Sequence, residues 1–226
     1  MREVFHQELQ TLLDRMVELT RLVETAMGRA TTALLDADLE LAESVIATEG
    51  SVQDLYHELD DRVLRLLALQ QPVATDLRTV VAALRIGADL ERMGVLARHV
   101  AEVAKQQHPQ PAVPPQLRAT ILAMGQVAGR IVAKAGSAIA SREADFALEL
   151  EQDDDEMDRL QEALYRHLLN GTINGTYQPD AQTTMNLTLI GRYYERFADH
   201  AVSVARRVAF LAGKRALDCP PAPPLH

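Results

Sequence analysis

Four carboxylates set the chemical question. Asp154 and Asp158 lie four residues apart, and so do Glu195 and Asp199. Positions i and i+4 share one face of an α-helix, so each pair points one way. If the two helices pack antiparallel as sequence neighbours, the four acids face one another. Anions converging in a partly dry place repel strongly unless they are protonated or neutralised by cations. Hard, oxygen-loving ions such as Mg²⁺, Mn²⁺, Ca²⁺ or iron suit all-carboxylate ligation. The expectation is a divalent or iron ion held by Asp154, Asp158, Glu195 and Asp199.

Other arrangements carry less. His200 could donate a ligand nitrogen beside Asp199, but it reads more simply as a partly exposed structural histidine. The run Asp153-Asp154-Asp155-Glu156 is expected at the surface, and Arg92 and Arg196 are expected to pair with carboxylates. There is no Gly-rich phosphate loop, nucleophile elbow or HExxH motif. The Glu-x-x-His signature of di-iron bundles fails, because Gly94 and Ala198 stand three residues after Glu91 and Glu195. Cys219 borders a proline-rich tail without a helix or histidine partner, so no nucleophile is expected. No catalytic residue is assigned.

The elements that must position the acids follow from proline and from period. Eight of the ten prolines fall in two places, Pro109 to Pro115 and Pro220 to Pro224, which leaves long segments free to be helical. Phe5, Leu9, Leu12, Met16, Leu19, Val23, Ala26, Ala30, Ala33 and Ala37 alternate at spacings of four and three. That is a bundle seam, and its narrowing to alanine implies close helix approach at one end. Val45, Val52, Leu59 and Leu66 repeat every seven residues, and Leu77 and Leu84 start a third such row that continues to Glu91. Three helices are expected at about 3–36, 38–69 and 72–107, each too long to be buried except in a bundle.

The pattern then repeats. Ala33, Ala42, Val45, Val52 and Leu59 match Ala138, Ala147, Leu150, Met157 and Leu164 at an offset of 105. Asp76, Ile86, Gly87, Glu91, Arg92 and Ala97 match Asp180, Ile190, Gly191, Glu195, Arg196 and Ala201 at an offset of 104. The fold expected is all-α: two tandem three-helix bundles over 1–107 and 117–215, a proline-rich linker at 108–116 and a flexible tail at 216–226. NGTINGTYQPD (170–180) is expected to form a looser loop than its counterpart at 69–76. In the first half the four acid positions read Glu49, Gln53, Glu91 and Val95. Two acids are gone, so that degenerate site is expected to bind metal poorly or not at all.

Composition narrows the function. The chain has 226 residues and a net charge of −9, which gives a phosphate backbone nothing to attract and makes nucleic-acid binding a poor reading. No apolar run reaches the length of about 18 residues that a spanning helix needs, and MREVFHQELQ has no signal-peptide core. The single cysteine excludes an internal disulfide framework, so a cytoplasmic setting is expected.

The segments QQPVATDLRTVVAALRIGADLERMG (70–94), LIGRYYERFADHAVSVARRV (189–208) and ADLELAESVIATEGSVQDL (37–55) resemble the PhoU family, particularly its actinobacterial members. The resemblance runs through essentially the whole chain before the tail. It implies two three-helix bundles and a negative regulator of phosphate uptake and of the phosphate-starvation response. It further implies an adaptor at the cytoplasmic membrane face, linking the phosphate-specific ABC transporter ATPase to a sensor histidine kinase, with a homodimer expected. Paired E(D)xxxD motifs carry metal clusters in the family. Carried over, they fall on Asp154/Asp158 and Glu195/Asp199, both intact, and on Glu49/Gln53 and Glu91/Val95, each without its second acid. The alternative is a metal-binding accessory or storage bundle with no signalling role; a carboxylate-bridged hydrolase or oxidase is the weakest reading.

Overall fold

The computed structural model describes residues 2–141, 146–174 and 179–211, with side chains over 5–141, 149–169 and 179–211. Six helices follow in order: α1 (Arg2–Asp36), α2 (Leu39–Gln70), α3 (Ala74–Gln107), α4 (Arg118–Ser141), α5 (Phe146–Asn174) and α6 (Ala181–Leu211). There is no strand among the described residues. The expected tail at 216–226 lies outside them. So does 175–178 of the expected loop, whereas 171–174 continue α5 as helix.

The α1 seam is buried from Phe5 to Ala33. Only Ala37 escapes, because it adopts φ 53° in the turn that ends α1. Asp38 then caps α2, its carboxylate accepting the Leu41 amide at 2.9 Å. Val45, Val52, Leu59 and Leu66 are likewise buried.

The row assigned to α3 needs correction. Leu77 is 39% exposed. Leu84 is only partly buried, and the inward face runs instead through Val80, Ala83, Ile86, Leu90, Met93, Ala97, Val100 and Ala104. The reason is that α3 packs against α1, α2 and α6 at once, which takes a wide face lined with small residues. The row through Leu77 and Glu91 lies at its outer edge.

The linker is docked rather than free. Ala112, Val113 and Leu117 are buried, His108 Nδ1 meets the Ala37 carbonyl at 3.0 Å, and Arg118 donates to the Leu35 carbonyl and to Asp36.

The halves join through α1 against α4 and α3 against α6, with pseudo-two-fold reciprocity. A Cβ on Gly136 would lie 3.0 Å from Thr20, and one on Gly125 would lie 2.6 Å from Thr31. Thr20 and Gly125 are repeat partners, as are Thr31 and Gly136, so one close contact is made twice. Between α3 and α6 the equivalent pairs differ chemically. Asp89 accepts from His200 Nδ1 at 3.1 Å, Ser203 Oγ at 3.1 Å and Arg207 Nε at 3.0 Å. At the related position Tyr193 stacks on His99, with ring centroids 5.2 Å apart.

Candidate metal centre

α5 and α6 pack as antiparallel neighbours in a fixed register. Tyr165 Oη donates to the Thr188 carbonyl at 3.2 Å and Gln161 Nε2 to the Gly191 carbonyl at 3.3 Å. Each step along α5 is matched by an equal step back along α6. Continued toward the start of α5, this register sets Asp158 level with Glu195 and Asp154 level with Asp199. The four acids predicted to converge do share one patch of surface.

Their burial differs. Asp154 is partly buried, Glu195 keeps 15% of its side chain exposed, and Asp158 and Asp199 are exposed. Burial, with repulsion from Asp199 and then Asp158, pushes the Asp154 carboxyl up to about 7. Burial followed by Asp199 also raises Asp158. Glu195 is raised by burial first and Asp199 second, although Arg192 works the other way. Arg192 occupies only Glu195 Oε1, at 2.5 Å, and the buried Oε2 has no hydrogen-bond partner. An orphaned buried carboxylate oxygen beside three more acids is costly unless a proton or a cation satisfies it.

The donor set is all oxygen, as a hard cation requires. Among the described residues no three acidic, histidine or cysteine side chains already converge at ligand spacing. Closing on an ion takes side-chain rotation, which exposed Asp158 and Asp199 are free to make.

The first half resolves the same problem internally. Glu49 lies 3.0 Å from Arg98 Nε as an ion pair without hydrogen-bond geometry, and Arg98 donates to Glu102 at 2.6 Å, where His99 Nδ1 also arrives at 3.0 Å. Gln53 is exposed and Val95 partly buried. Glu91 is 3.9 Å from neighbouring Arg92.

Several features differ from expectation or were missed. Asp153 belongs to the acidic run but is buried, 2.8 Å from Lys134 Nζ and 3.5 Å from Arg130 Nε. Its place between Leu150 and Met157, three residues from one and four from the other, was the available signal. His200, by contrast, is the partly buried structural histidine expected, held by Asp89 rather than turned to the acids. Arg196 reaches no carboxylate within 4 Å among the described residues, although its charge works to lower Glu195. The Tyr194 hydroxyl, buried and 2.7 Å from Thr31 Oγ1, ties α6 to α1 without a sequence signal.

The PhoU domain model matches residues 16–104 and 121–208, one match for each half. The chain belongs to the PhoU family. It is 42% identical over 212 residues to the phosphate-specific transport system accessory protein PhoU homolog 2 of Mycobacterium tuberculosis, covering 94% of this chain and 98% of that one. It is 41% identical to PhoU homolog 1 of Mycobacterium leprae, covering 94% of each. Among solved structures, PhoU from Pseudomonas aeruginosa superposes with a TM-score of 0.84 at 30% identity, covering 92% of this chain and 98% of that chain. The phosphate transport system regulatory protein PhoU from Streptococcus pneumoniae does so with 0.83 at 26% identity, over 95% and 100%. The pair of three-helix repeats read from the sequence is the PhoU fold.

Proposed function

We propose that this protein is an accessory and negative regulator of phosphate uptake and of the phosphate-starvation response. The observation that carries the reading is its 42% identity, over 98% of the relative's length, to a protein named as an accessory of the phosphate-specific transport system. The finer mechanism is that of an adaptor. Exposed bundle faces dock on the transporter's ATPase at the cytoplasmic membrane face and on a sensor histidine kinase. A phosphate-dependent transporter state then favours the complex in which the kinase is restrained. Such switching requires different affinities for two partner states. Contact with the membrane goes through partners, and no described helix is long and apolar enough to cross it.

Asp154, Asp158, Glu195 and Asp199 would hold a hard cation between α5 and α6. The ion would supply counter-charge to the acids. The chain's own groups position them: the α5/α6 register aligns the pairs, Arg192 holds one oxygen of Glu195, and Lys134 with Arg130 fixes Asp153 behind them.

The test is expression of phosphate-starvation genes in cells lacking this protein and grown in abundant phosphate. Constitutive expression restored by the wild-type gene is expected; normal repression with no paralogue present would overturn the reading. The orphaned Glu195 oxygen favours a second reading, an accessory or storage bundle whose task is the ion. Full regulation by an Asp199→Ala protein that no longer retains metal would eliminate it.

A further inference from the structure

The groove between α1 and α2 and its counterpart between α4 and α5 handle charge in opposite ways. At an offset of 105, Ser44, Thr48 and Ser51 of α2 stand where α5 has Glu149, Asp153 and Glu156. In the second half those acids meet cations of α4. Lys134 Nζ lies 2.8 Å from Asp153 and 3.4 Å from Glu149, and Arg130 lies 3.5 Å from Asp153 and 2.6 Å from Glu156. Asp153 is buried, so this groove carries its own anion.

The first half keeps cations and lacks the anion. Arg29, the repeat partner of Lys134, donates to Ser44 Oγ at 2.7 Å, and a hydroxyl supplies no counter-charge. Arg21 reaches no carboxylate within 4 Å and makes no hydrogen bond among the described residues. Glu49, next to Thr48, is engaged by Arg98 of α3 instead. Between α1 and α2 lies a cavity of about 320 Å³, bordered by both Arg21 and Arg29. Their backbones are roughly 12 Å apart, with Thr25 midway, so two long side chains can close on one ligand. Glu18 also borders the cavity, but it is paired with Arg15 at 2.7 Å. The apolar wall includes Ala26 and Val45, where the second half has the larger Ile131 and Leu150. Smaller side chains at these two places leave room that the repeat fills.

Guanidinium forks bind carboxylate and phosphate oxygens in pairs. We infer that the α1–α2 groove binds a small organic anion. Its carboxylate or phosphate head lies beside Thr48, in the place that Asp153 holds in the repeat, and meets Arg29 and Arg21. Its apolar body lies against Ala26 and Val45. The argument is the chain's own second half, which shows the same groove with a carboxylate between its cations. The inference goes beyond the regulatory reading and does not depend on it.

The test is calorimetric titration of the metal-free full chain with phenyl phosphate, benzoate and phenol, which share one apolar body. The two anions are expected to bind at least tenfold more tightly than phenol. Phenyl phosphate should bind more tightly than benzoate, because at neutral pH it carries the larger charge; the reverse order would keep the groove and name a carboxylate as its head group. R21Q/R29Q should lose the preference for anions, while R78Q on α3 retains it. T48D supplies the acid of the repeat from within, so it should weaken anion binding about tenfold and leave the melting temperature at or above wild type. Equal binding of phenol and the anions would overturn the inference. So would anion binding that persists unchanged in either R21Q/R29Q or T48D, which would place it elsewhere on the chain. Phosphate-gene repression is read separately in cells, and its failure unseats the regulatory reading alone.

Discussion

Where α5 and α6 hold Asp154, Asp158, Glu195 and Asp199, α2 and α3 hold Glu49, Gln53, Glu91 and Val95. The loss of two acids is visible in the sequence. What the structure adds is a cation: Arg98 lies 3.0 Å from Glu49 and 2.6 Å from Glu102. Its repeat partner in α6 is Val202. The cations there are Arg192, 2.5 Å from one oxygen of Glu195, and Arg206, which lies 3.6 Å from Glu151 and draws Asp154 down only in part, so the four acids remain in excess. One half of the duplication has thus acquired its own counter-charge, while the other retains a need for a proton or an ion. Repeats inherit backbone geometry through packing, but exposed charge is free to diverge because it barely contributes to the core.

The sharpest way to break this comparison is to remove acids from each side. D154N/D199N should lower Mn²⁺ affinity on the order of a hundredfold by calorimetry, as loss of anionic ligands predicts, while E49Q/E91Q changes it little. Comparable losses in both variants would place the binding elsewhere. The converse experiment builds a site. Q53D/V95D should gain a weak ion, and adding R98V should tighten it about tenfold, because the resident guanidinium no longer competes for Glu49. Elemental analysis of metal per chain checks this; no gain with Arg98 removed would refute the equivalence of the two faces.

Smaller effects appear in stability. R98A should cost about 1–2 kcal/mol in urea unfolding, since it strands Glu49 and Glu102 together. D154N should instead stabilise the metal-free protein by about 1 kcal/mol above neutral pH, after allowance for solvent screening. The sign follows from linkage. Asp154 titrates higher in the folded chain, near 7, so its contribution is full below its ordinary value and is lost as pH rises through neutrality. Melting of the metal-free wild type should therefore improve on mild acidification, and D154N should flatten that rise. Asp89 works in the opposite sense. Burial alone would raise it, but His200 and Arg207 together hold it below its ordinary value, so its contribution disappears as pH falls through the acid range.

Much of the molecule was legible in sequence because period reports burial directly. The α1 and α2 seams, the duplication and the placing of Asp154, Asp158, Glu195 and Asp199 at matching levels of α5 and α6 all follow from spacing on a helix. The row from Leu77 to Glu91 misled, because α3 serves three neighbours and its inward face is built from small residues that hydrophobic pattern underweights. Asp153 misled in reverse: its spacing from Leu150 and Met157 put it on the buried face, but only its cations on another helix, Lys134 and Arg130, make burial of that acid tolerable.

By itself the sequence determined six helices, their grouping by repeat and the residue types that could meet an ion, since these depend on local propensity and on which faces are apolar. Tertiary structure alone decided which charges find partners. Arg98 lies within ion-pair distance of Glu49, Lys134 of Asp153 and Arg207 of Asp89 across helix interfaces, whereas Glu195 Oε2 has neither a hydrogen bond nor a cation at that distance among the described residues. Electrostatic energy depends on distance and burial between segments far apart in the chain, and neither is written in local period.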